Sequence, residues 1–562
     1  MLDCANMRDR VLVWTVCGVV LCGQMGRAQV RSVSDDPPGM AKAGWSGVGT
    51  KLAREITRLL EDPAVARAHW GIKVMTMDGT PIFSMNEEQL FQPASNTKMF
   101  TTATAIALLG AGTTFETKVV AKGVFNGADK LRGDVVLVGS GDANLSGRAI
   151  PYIAPALRPK PAPPAPAALR YLEEMADQVA KTGLKLVNGD VVGDDTLFPW
   201  EPYAEDWSID DTVWGYGAPV SALSINDSQL KFTVLPGDAA GKPGAVVVDP
   251  AVPYYTVDVS GLVTGVAKSG SHVQIERALG SKVLRVYGTI AVDAQPDEEE
   301  IAIHDPAEYA AMALKGMLEA RGIVVTGKAR AEHRISSDAR GFMQASHEPL
   351  PGIDWSKSYG AAKRLISCVN NCDAMQAAYL NPLAKHTSPT LLEDMVVTNK
   401  ISQNLHAETL LHDLSASVLG DGSTVGGARV VRAFLERAGI DKDDFVFFDG
   451  SGLSGHDLVA PRAAARLLQY AAMQPWFADW KSTLPVGGED GSLAERFPKT
   501  PLKDHVFAKT GTLSEARALS GYLDCASGKT VIFSIMVGNH TPRSNVDREV
   551  MDKIVAAIAA AN

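Results

Sequence analysis

Ser95 and Lys98 stand three residues apart in the stretch QPASNTKMF, and acyl transfer can use these residue types at this spacing. The apolar residues after them recur at helical spacing until Gly110, a typical stop signal. Residues three apart lie on one face of a helix, so the Lys98 amine can reach the Ser95 hydroxyl and accept its proton. The alternative is two surface residues near a helix start, because this spacing also arises by chance.

A second copy of the spacing, Ser228 and Lys231, lies in the stretch SQLKFTVLPG. The apolar residues of this stretch alternate as they do in a β-strand. Residues three apart in a strand point to opposite faces of the sheet, so we expect no pairing here. The local pattern therefore favours the pair at Ser95.

A second candidate element is Ser402-Gln403-Asn404, which directly precedes the predicted helix LHAETLLHDL. A loop at the start of a helix can aim a hydroxyl and a carboxamide into a cleft. The alternative is a helix cap, since serine and asparagine are favoured at that position. Ser-x-Asn also occurs at Ser84 and Ser224, so the motif is weak by itself.

A third candidate element is the KTGT stretch at residues 509–512, inside the strand-like segment HVFAKTGTL. Lysine and threonine side chains on a strand can face a cleft, and Gly511 lets a substrate backbone approach closely. A second KTG, at residues 181–183, ends a predicted helix, where Gly183 is a natural C-cap. Only the copy at residues 509–512 is predicted to lie in a strand.

These three elements occur in the order known for penicillin-binding proteins and β-lactamases. With the segments around them, the sequence resembles the D-alanyl-D-alanine carboxypeptidase/endopeptidase family, the low-molecular-mass class C penicillin-binding proteins. Other segments that carry the resemblance are LRGDVVLVGSGDANL, VNGDVVGDDTLF, YGAPVSALSINDSQL and FDGSGLSGHDLVAP. The resemblance covers nearly all of residues 50–562, and the long gap from Lys98 to Ser402 fits the family's inserted domains. One departure is Gln403, where the usual middle residue is Asp.

The resemblance implies a substrate, peptidoglycan stem peptides ending in D-Ala-D-Ala, and inhibition by β-lactams. It makes Ser95 the nucleophile, Lys98 the base and Ser402 the proton relay. It assigns substrate binding to Asn404, Lys509, Thr510, Gly511 and Thr512. The backbone N–H groups of Ser95 and Thr512 would form the oxyanion hole. No cofactor is implied, and no Cys/His cluster has metal-binding spacing, so we expect no metal.

Similar family members also use an aspartate of the inserted domain to bind the free amine on the branching residue of the stem peptide. The position that matches here is Asp194, in the stretch VVGDDTLF. The alternative is a turn aspartate that hydrogen-bonds to its own backbone.

The predicted elements indicate an α/β (α+β) chain. The resemblance implies a serine β-lactamase/transpeptidase-like catalytic domain, an antiparallel sheet flanked by helices, with a large β-rich insertion. A hairpin near the start and three strands near the end would build one sheet from both chain ends. The predicted division is a signal peptide at 1–28, catalytic segments at 29–129 and 386–562, an inserted β-rich region of two nested subdomains at 130–331, and an extra insertion or return segment at 332–385. We assign no role to residues 339–384.

The chain has 562 residues, too many for one ordinary domain, and its net charge of −10 argues against nucleic acid as a main partner. Residues 1–28 indicate an export signal, because Arg8 and Arg10 precede an apolar run and small residues precede a cut near Ala28. An uncleaved anchor is the alternative, but the run at 11–23 is short for a membrane span. We expect a periplasmic or cell-envelope protein with peripheral membrane or wall association.

Three cysteines remain after the predicted cut: Cys368, Cys372 and Cys525. Cys368 and Cys372 could close a small disulfide loop in an oxidising compartment. Two unpaired buried thiols are the alternative.

Two other functions share these motifs. A β-lactamase must hydrolyse its acyl-enzyme quickly, but no Glu-x-x-Leu-Asn pattern supplies a class A base, and class C enzymes carry Tyr-x-Asn rather than Ser-Gln-Asn. A non-catalytic peptidoglycan-binding protein could keep the fold without turnover. Slow loss of bound penicillin would favour the peptidase over a β-lactamase, and turnover of a D-Ala-D-Ala peptide would exclude a mere binding protein.

Overall fold

Residues 50–350, 352–362, 372–542 and 544–562 are described by the structure, a computed structural model. The predicted signal peptide at 1–28 lies outside these ranges, and so does the predicted side-chain pairing of Cys368 with Cys372. Cys525 is a buried free thiol. Within the described ranges, no helix combines the length and the apolar character that a membrane span requires.

The strands and helices are numbered in chain order. The strands are β1 (His69–Thr76), β2 (Pro81–Met85), β3 (Glu116–Phe125), β4 (Lys130–Val138), β5 (Leu186–Asn188), β6 (Val191–Pro199), β7 (Gln229–Leu235), β8 (Ala245–Asp249), β9 (Thr256–Gly265), β10 (His272–Glu276), β11 (Val283–Ala291), β12 (Asp297–Ala302), β13 (Val324–Val325), β14 (Ala329–Arg334), β15 (Ala384–Thr387), β16 (Phe445–Val446), β17 (Leu458–Val459), β18 (Val506–Thr512), β19 (Ala516–Asp524) and β20 (Thr530–Gly538). The helices are α1 (Lys51–Leu60), α2 (Thr97–Leu109), α3 (Arg170–Lys181), α4 (Pro306–Ala320), α5 (Phe342–Ser346), α6 (Cys372–Leu380), α7 (Leu391–Lys400), α8 (Asn404–Leu419), α9 (Thr424–Arg437), α10 (Pro461–Ala472), α11 (Phe477–Thr483) and α12 (Val546–Ala561).

The central sheet has five antiparallel strands in the order β18-β19-β20-β1-β2. The first two strands of the chain therefore complete a sheet begun by the last three, as the sequence predicts. Eight of the nine residues of β19 are buried, so both faces of the sheet are covered. The mixed α/β class and the helix-flanked antiparallel sheet are confirmed.

One face of this sheet is covered by α1 and α12, the helices at the two ends of the described chain. Leu52, Ile56 and Leu59 recur at helical spacing on α1 and are buried, while Thr50 caps its first turn. They pack with Ile554 of α12 and Phe533 of β20 in one apolar cluster. The first and last helices of the described chain therefore pack together on the same face of the sheet.

The opposite face is covered by a thicker layer that includes α2, α8, α9 and α10. Phe100 of α2, Leu410 of α8 and Phe434 of α9 share one core cluster with Tyr522 of the sheet. Every residue of α2 except Ala107 is buried, which is typical of a central core helix. The helix that follows Ser95 is therefore held on all sides.

The inserted region is built around β4, which pairs with β3 on one side and with the parallel strands β5 and β6 on the other. Helices α3 and α4 bury Met175 and Leu314 against this sheet. This sheet includes β3, which precedes the predicted boundary at 130, and β15, which follows the predicted boundary at 331. The division of the chain into domains stays a prediction.

Two three-stranded sheets lie within the same region, in the orders β12-β7-β8 and β10-β11-β9. Phe232, Leu284 and Ile301 share a separate apolar cluster between them. The proline-rich stretch before α3 is mostly exposed. Its Tyr152 hydroxyl nevertheless accepts a hydrogen bond from the Gly491 backbone N–H, at 3.1 Å.

Candidate active site

Ser95 lies in a 3₁₀ turn, Ala94–Asn96, which continues directly into α2. One helical turn later, the Nζ atom of Lys98 lies 2.8 Å from the Ser95 Oγ atom. Ala94 has a φ of +46°, and a Cβ added to Gly452 would stand 1.9 Å from the Ala94 carbonyl oxygen. The turn that presents Ser95 is thus held in an unusual backbone conformation by a neighbour that must be glycine.

Lys98 is fully buried, and its Nζ atom has three oxygen partners: Ser95 Oγ at 2.8 Å, Asn404 Oδ1 at 2.7 Å and the Ser451 carbonyl at 2.7 Å. Burial lowers the pKa of Lys98 to about 8, against the opposing effect of nearby carboxyl groups. A neutral amine keeps two N–H donors for Asn404 and Ser451 and leaves a lone pair for the Ser95 proton. Lys98 can therefore act as a base near neutral pH.

Three carboxyl groups lie near Lys98 and interact with its charge: Glu408 on α8, and Asp449 and Asp457 on the segment before α10. Burial and the neighbouring Asp449 raise the pKa of Glu408 to about 8 and hold that of Asp457 well above its usual range. Protonation of Glu408 and Asp457 keeps the local charge low, and so limits how strongly these two groups stabilise a charged lysine. Sequence reasoning missed this cluster, although Asp449 and Asp457 lie in the segment FDGSGLSGHD that carries the family resemblance.

Residues 402–404 form a loop that ends at the start of α8. Ser402 has a φ of +62°, and its Oγ atom accepts a hydrogen bond from Lys509 Nζ at 2.9 Å. Asn404 donates its amide to the Tyr216 carbonyl at 2.8 Å and accepts from Lys98. The helix cap is Gln403, whose Oε1 atom accepts from the Leu405 N–H at 3.0 Å. Capping by the middle residue leaves Ser402 and Asn404 available to the cleft.

Lys509 lies on β18 with its side chain fully buried. Its Nζ atom donates to Ser402 Oγ and to the Thr510 carbonyl, both at 2.9 Å. Burial, and secondly the charge of Lys98, lower its pKa well below the ordinary value. Among the described residues no carboxylate forms an ion pair with Lys509. An incoming carboxylate would stabilise the charged form of this lysine.

Gly511 lets β18 lie close against the turn that carries Ser95. A Cβ at Gly511 would stand 2.3 Å from the Pro93 carbonyl oxygen. The Asn96 amide also donates to the Lys509 carbonyl at 2.9 Å. The sequence suggested that Gly511 admits a substrate backbone; in the structure the close approach is made by the chain itself, and the role toward substrate stays a prediction.

A cleft of about 520 Å³ opens at this point. Its lining residues are Ser95, Asp211, Tyr216, Ser402, Asn404, Gly452, Leu453, Thr512, Leu513, Ser514 and Arg517. Four predicted site residues thus share one cleft, and the two lysines lie buried beneath it. Thr510 instead places its Oγ1 atom 2.6 Å from Ser492 Oγ.

Asp194, the predicted amine-binding carboxylate, does not line this cleft. Its Oδ1 atom accepts from the backbone N–H of Thr196 at 3.0 Å and from the Thr196 hydroxyl at 2.7 Å. Both residues lie in β6, so these are local contacts, close to the alternative of an aspartate that hydrogen-bonds to its own backbone; the role of Asp194 toward substrate stays a prediction. The cleft contains another carboxylate of the inserted region, Asp211, which accepts from the Tyr216 hydroxyl at 2.8 Å; burial raises its pKa.

The second copies of the Ser-x-x-Lys and Lys-Thr-Gly motifs lie where their local patterns predict. Lys231 extends from β7 and pairs with Glu298 at 2.7 Å, away from Ser228. Residues 181–183 end α3, and Gly183 has a φ of +88°. Within the described part of the chain, no three or more His, Cys, Asp or Glu side chains are arranged to hold a metal.

The helix-flanked antiparallel sheet, and at its edge Ser95 paired with the buried Lys98, define a serine β-lactamase/transpeptidase-like protein. The profile of the D-Ala-D-Ala carboxypeptidase 3 (S13) family matches residues 52–353 and 369–561. The chain belongs to that family of serine-type D-Ala-D-Ala carboxypeptidases.

Similar proteins span most of the chain. The D-alanyl-D-alanine carboxypeptidase of Actinomadura sp. (strain R39) is 31% identical over 518 residues, which are 90% of this chain and 84% of the relative. The D-alanyl-D-alanine carboxypeptidase DacB of Haemophilus influenzae is 24% identical over 468 residues, 82% of this chain and 83% of the relative. The crystal structure of penicillin binding protein 4 (dacB) from H. influenzae matches with a TM-score of 0.71 and 21% identity, and covers 91% of this chain and 98% of that chain.

Proposed function

We propose that the chain hydrolyses peptidoglycan stem peptides ending in D-Ala-D-Ala through an acyl-enzyme on Ser95. The observation that carries this proposal is the position of the Ser95 hydroxyl, 2.8 Å from a buried lysine whose pKa is lowered to about 8. A serine becomes a nucleophile when a nearby base can take its proton. The family to which the chain belongs supports the choice of substrate.

Acylation begins when Ser95 Oγ attacks the carbonyl carbon of the penultimate D-Ala. Lys98 accepts the hydroxyl proton as the new C–O bond forms, and the C–N bond to the terminal D-Ala then breaks. The Ser402 hydroxyl then relays that proton from Lys98 to the leaving amine, so Lys98 is neutral again before water attacks the ester. Water later attacks the ester, regenerates Ser95 and releases the shortened peptide with a new carboxylate.

The groups around Ser95 bind the substrate. Lys509 attracts the terminal carboxylate, and the Thr510 and Thr512 hydroxyls bind it. Asn404 holds a substrate amide, because its carboxamide lines the cleft. The backbone N–H groups of Ser95 and Thr512 stabilise the oxyanion, a contribution of about 3–4 kcal/mol per donor in other enzymes.

The free amine on the stem peptide's branching residue requires an acidic partner. We infer that Asp211 takes the role that the sequence suggested for Asp194, because Asp211 lines the cleft with Ser95. The Tyr216 hydroxyl orients the Asp211 carboxylate. Either carboxylate would favour substrates with a free amine over acetylated ones.

β-Lactams would acylate the same serine. The H. influenzae penicillin binding protein 4 has been solved in complex with a novel β-lactam, with a TM-score of 0.66 to this chain, which supports this part of the proposal. A β-lactamase would release the acyl group quickly, whereas a non-catalytic wall-binding protein would not turn over peptides.

We further propose that the protein is exported, with cleavage near Ala28, and that it works in the periplasm or cell envelope. Its substrate lies outside the cytoplasm, and the arginines and apolar run of residues 1–28 suit an export signal. Peripheral association with membrane or wall is compatible with this location.

The test uses the purified full chain and two substrates, a D-Ala-D-Ala pentapeptide and a cross-linked muropeptide. Release of D-Ala measures carboxypeptidase action, and cleavage of the cross-link measures endopeptidase action. We expect turnover of at least one substrate and slow release of bound penicillin. Binding without turnover would favour the wall-binding alternative, and rapid penicillin hydrolysis would favour a β-lactamase.

A further inference from the structure

The 402–404 loop has a backbone conformation that requires support. Ser402 is not a glycine but has a φ of +62°. A non-glycine residue stays in this region only when its surroundings hold it there. On the cleft side the support comes from Lys509, through the hydrogen bond to Ser402 Oγ.

The support on the other side comes from the inserted region. The Nε2 atom of Gln403 donates to Asp227 Oδ2 at 3.2 Å, while its Oε1 atom caps α8. Asp227 is buried in the 3₁₀ turn Asn226–Ser228, where all three residues have a φ between +52° and +55°. A strained turn of the inserted region therefore meets the strained loop of the catalytic part at one hydrogen bond.

Asp227 is itself fixed by two cations. Its Oδ2 atom accepts from Arg148, and its Oδ1 atom lies 3.4 Å from His406 Nε2. The other ring nitrogen of His406 lies 2.7 Å from Asp394 Oδ1. The four groups form a row of alternating charge that is buried except at the partly exposed Arg148: Arg148, Asp227, His406 and Asp394.

The two central groups of the row, Asp227 and His406, stabilise each other's charge. Burial by itself would raise the pKa of Asp227, but the contacts with His406 and Arg148 hold this pKa well below its usual range. Against the effect of burial, Asp394 and Asp227 raise the pKa of His406 to about 9. Gln403 thus faces a permanent carboxylate that cannot move away from its cations.

We propose that Asp227 is a positioning residue, which sets the place of Ser402 and Asn404 in the cleft through its hydrogen bond with Gln403. The usual middle residue of this motif is an aspartate. Here the middle residue is an amide donor, and the carboxylate comes from the inserted region instead. This inference rests on the proposed function for its catalytic consequence, but the contact can be tested without catalysis.

The test is a double-mutant cycle on the full chain: wild type, Gln403→Glu, Asp227→Asn and the double variant. Gln403→Glu keeps an oxygen to cap α8 but places a carboxylate oxygen against Asp227 Oδ2. In the double variant the introduced asparagine amide can donate to the introduced glutamate, so the contact is restored with donor and acceptor exchanged. Two readouts are taken well below the lowest melting temperature: the rate of β-lactam acylation and amide hydrogen exchange in residues 401–405.

We expect Gln403→Glu to slow acylation about tenfold in the wild-type background and to leave the rate almost unchanged in the Asp227→Asn background, a coupling typical of residues in contact. Exchange in the loop should rise in Gln403→Glu and fall again in the double variant. Equal effects of Gln403→Glu in both backgrounds would overturn the proposal.

A pH series separates positioning from general destabilisation and uses Gln403→Glu alone. Two carboxylates at hydrogen-bond distance raise one of their pKa values, so a proton enters between them as the pH falls. The Gln403→Glu rate, divided by the wild-type rate at each pH, should therefore rise toward low pH. A flat or falling ratio would contradict the contact, even if Asp227→Asn fails to fold.

The matched control is Gln178→Glu, a glutamine whose amide also donates to an oxygen, the Lys385 carbonyl at 3.0 Å. Its amide bonds the Lys385 backbone and not a carboxylate, so the ratio of the Gln178→Glu rate to the wild-type rate should stay near one at every pH. If the wild type is not acylated, the proposed function fails, while the exchange data still decide on the contact. If the wild type is acylated but the loop exchange is the same in all variants, only the positioning role fails.

Discussion

The candidate site has two halves that are held in different ways. The sheet half comprises the turn Ala94–Asn96 and β18, which touch through close backbone packing at Gly511 and a buried hydrogen bond from Asn96. The loop half comprises residues 402–404, which depend on side-chain and carbonyl partners in the inserted region, Asp227 and Tyr216. The sheet half is therefore held by close backbone packing within the catalytic part, whereas the loop half also depends on hydrogen bonds to the inserted region.

The proposed role of Asp227 would give the inserted region a part in the chemistry. Lys98 and Lys509 each bridge the halves, because Lys98 contacts Ser95 and Asn404 and Lys509 contacts Ser402 from β18. Substitutions of Lys98 and Lys509, which contact both halves, should have the largest effects on activity. Substitutions that alter one half alone should have smaller ones.

Lys98→Ala should slow β-lactam acylation by about 10²–10⁴-fold, the usual range for loss of a general base. In the wild type, acylation should rise with pH up to about 8, because the neutral amine of Lys98 is the base and its pKa is lowered to about 8. Stopped-flow acylation rates from pH 6 to 10 measure both effects. A wild-type rate that is flat across this range would exclude Lys98 as the base.

Lys509→Ala should lower kcat/KM for peptides with a free terminal carboxylate by about ten- to hundredfold, because a hydrogen-bonded charge partner is lost. Amidated analogues should lose much less, since they bring no carboxylate. The control is Lys181→Ala in the other KTG copy, which should leave activity close to wild type. Equal losses on free and amidated peptides would count against carboxylate binding by Lys509.

Asp211→Asn should lower kcat/KM up to about fivefold for peptides with a free side-chain amine, the range of a partly exposed ion pair. Acetylated peptides and β-lactam acylation should be almost unaffected. Asp194→Asn is the paired comparison, and it should leave the preference for free amines unchanged. A loss of that preference in Asp194→Asn but not in Asp211→Asn would restore the hypothesis drawn from the sequence.

Ser492→Ala affects only the sheet half and should have the smallest effect. Its hydroxyl lies 2.6 Å from Thr510 Oγ1, so its loss frees the threonine to rotate. We expect kcat/KM for free-carboxylate peptides to fall about threefold, as for one neutral hydrogen bond. An effect as large as that of Lys509→Ala would mean that Ser492 itself binds substrate.

The sheet half was largely predictable from the sequence. Helical spacing after Ser95 predicts that Lys98 lies on the same face, and strand alternation predicts the setting of Lys509. Those patterns act over one or two turns of chain, where local geometry determines which side chains are neighbours. The same reasoning correctly separated the copies at Ser228 and Lys181 from the site.

The partners of the loop half could not be predicted in this way. Asp227 and Gln403 are far apart in the chain, and no local periodicity links them. The aspartate suggested for amine binding, Asp194, followed a family pattern; in the structure it accepts hydrogen bonds from Thr196 within β6, and its role toward substrate stays a prediction. Which carboxylate reaches the cleft depends on the path of the chain after β6, which a pattern of single residues does not encode.

The central claim is that Ser95 is the nucleophile, and peptide mapping of the penicillin adduct tests it most directly. The full chain is incubated with benzylpenicillin, digested and sequenced by mass spectrometry. We expect one adduct, on Ser95, and none in a folded Ser95→Ala variant. An adduct on any other serine, or labelling that persists in Ser95→Ala, would contradict the claim.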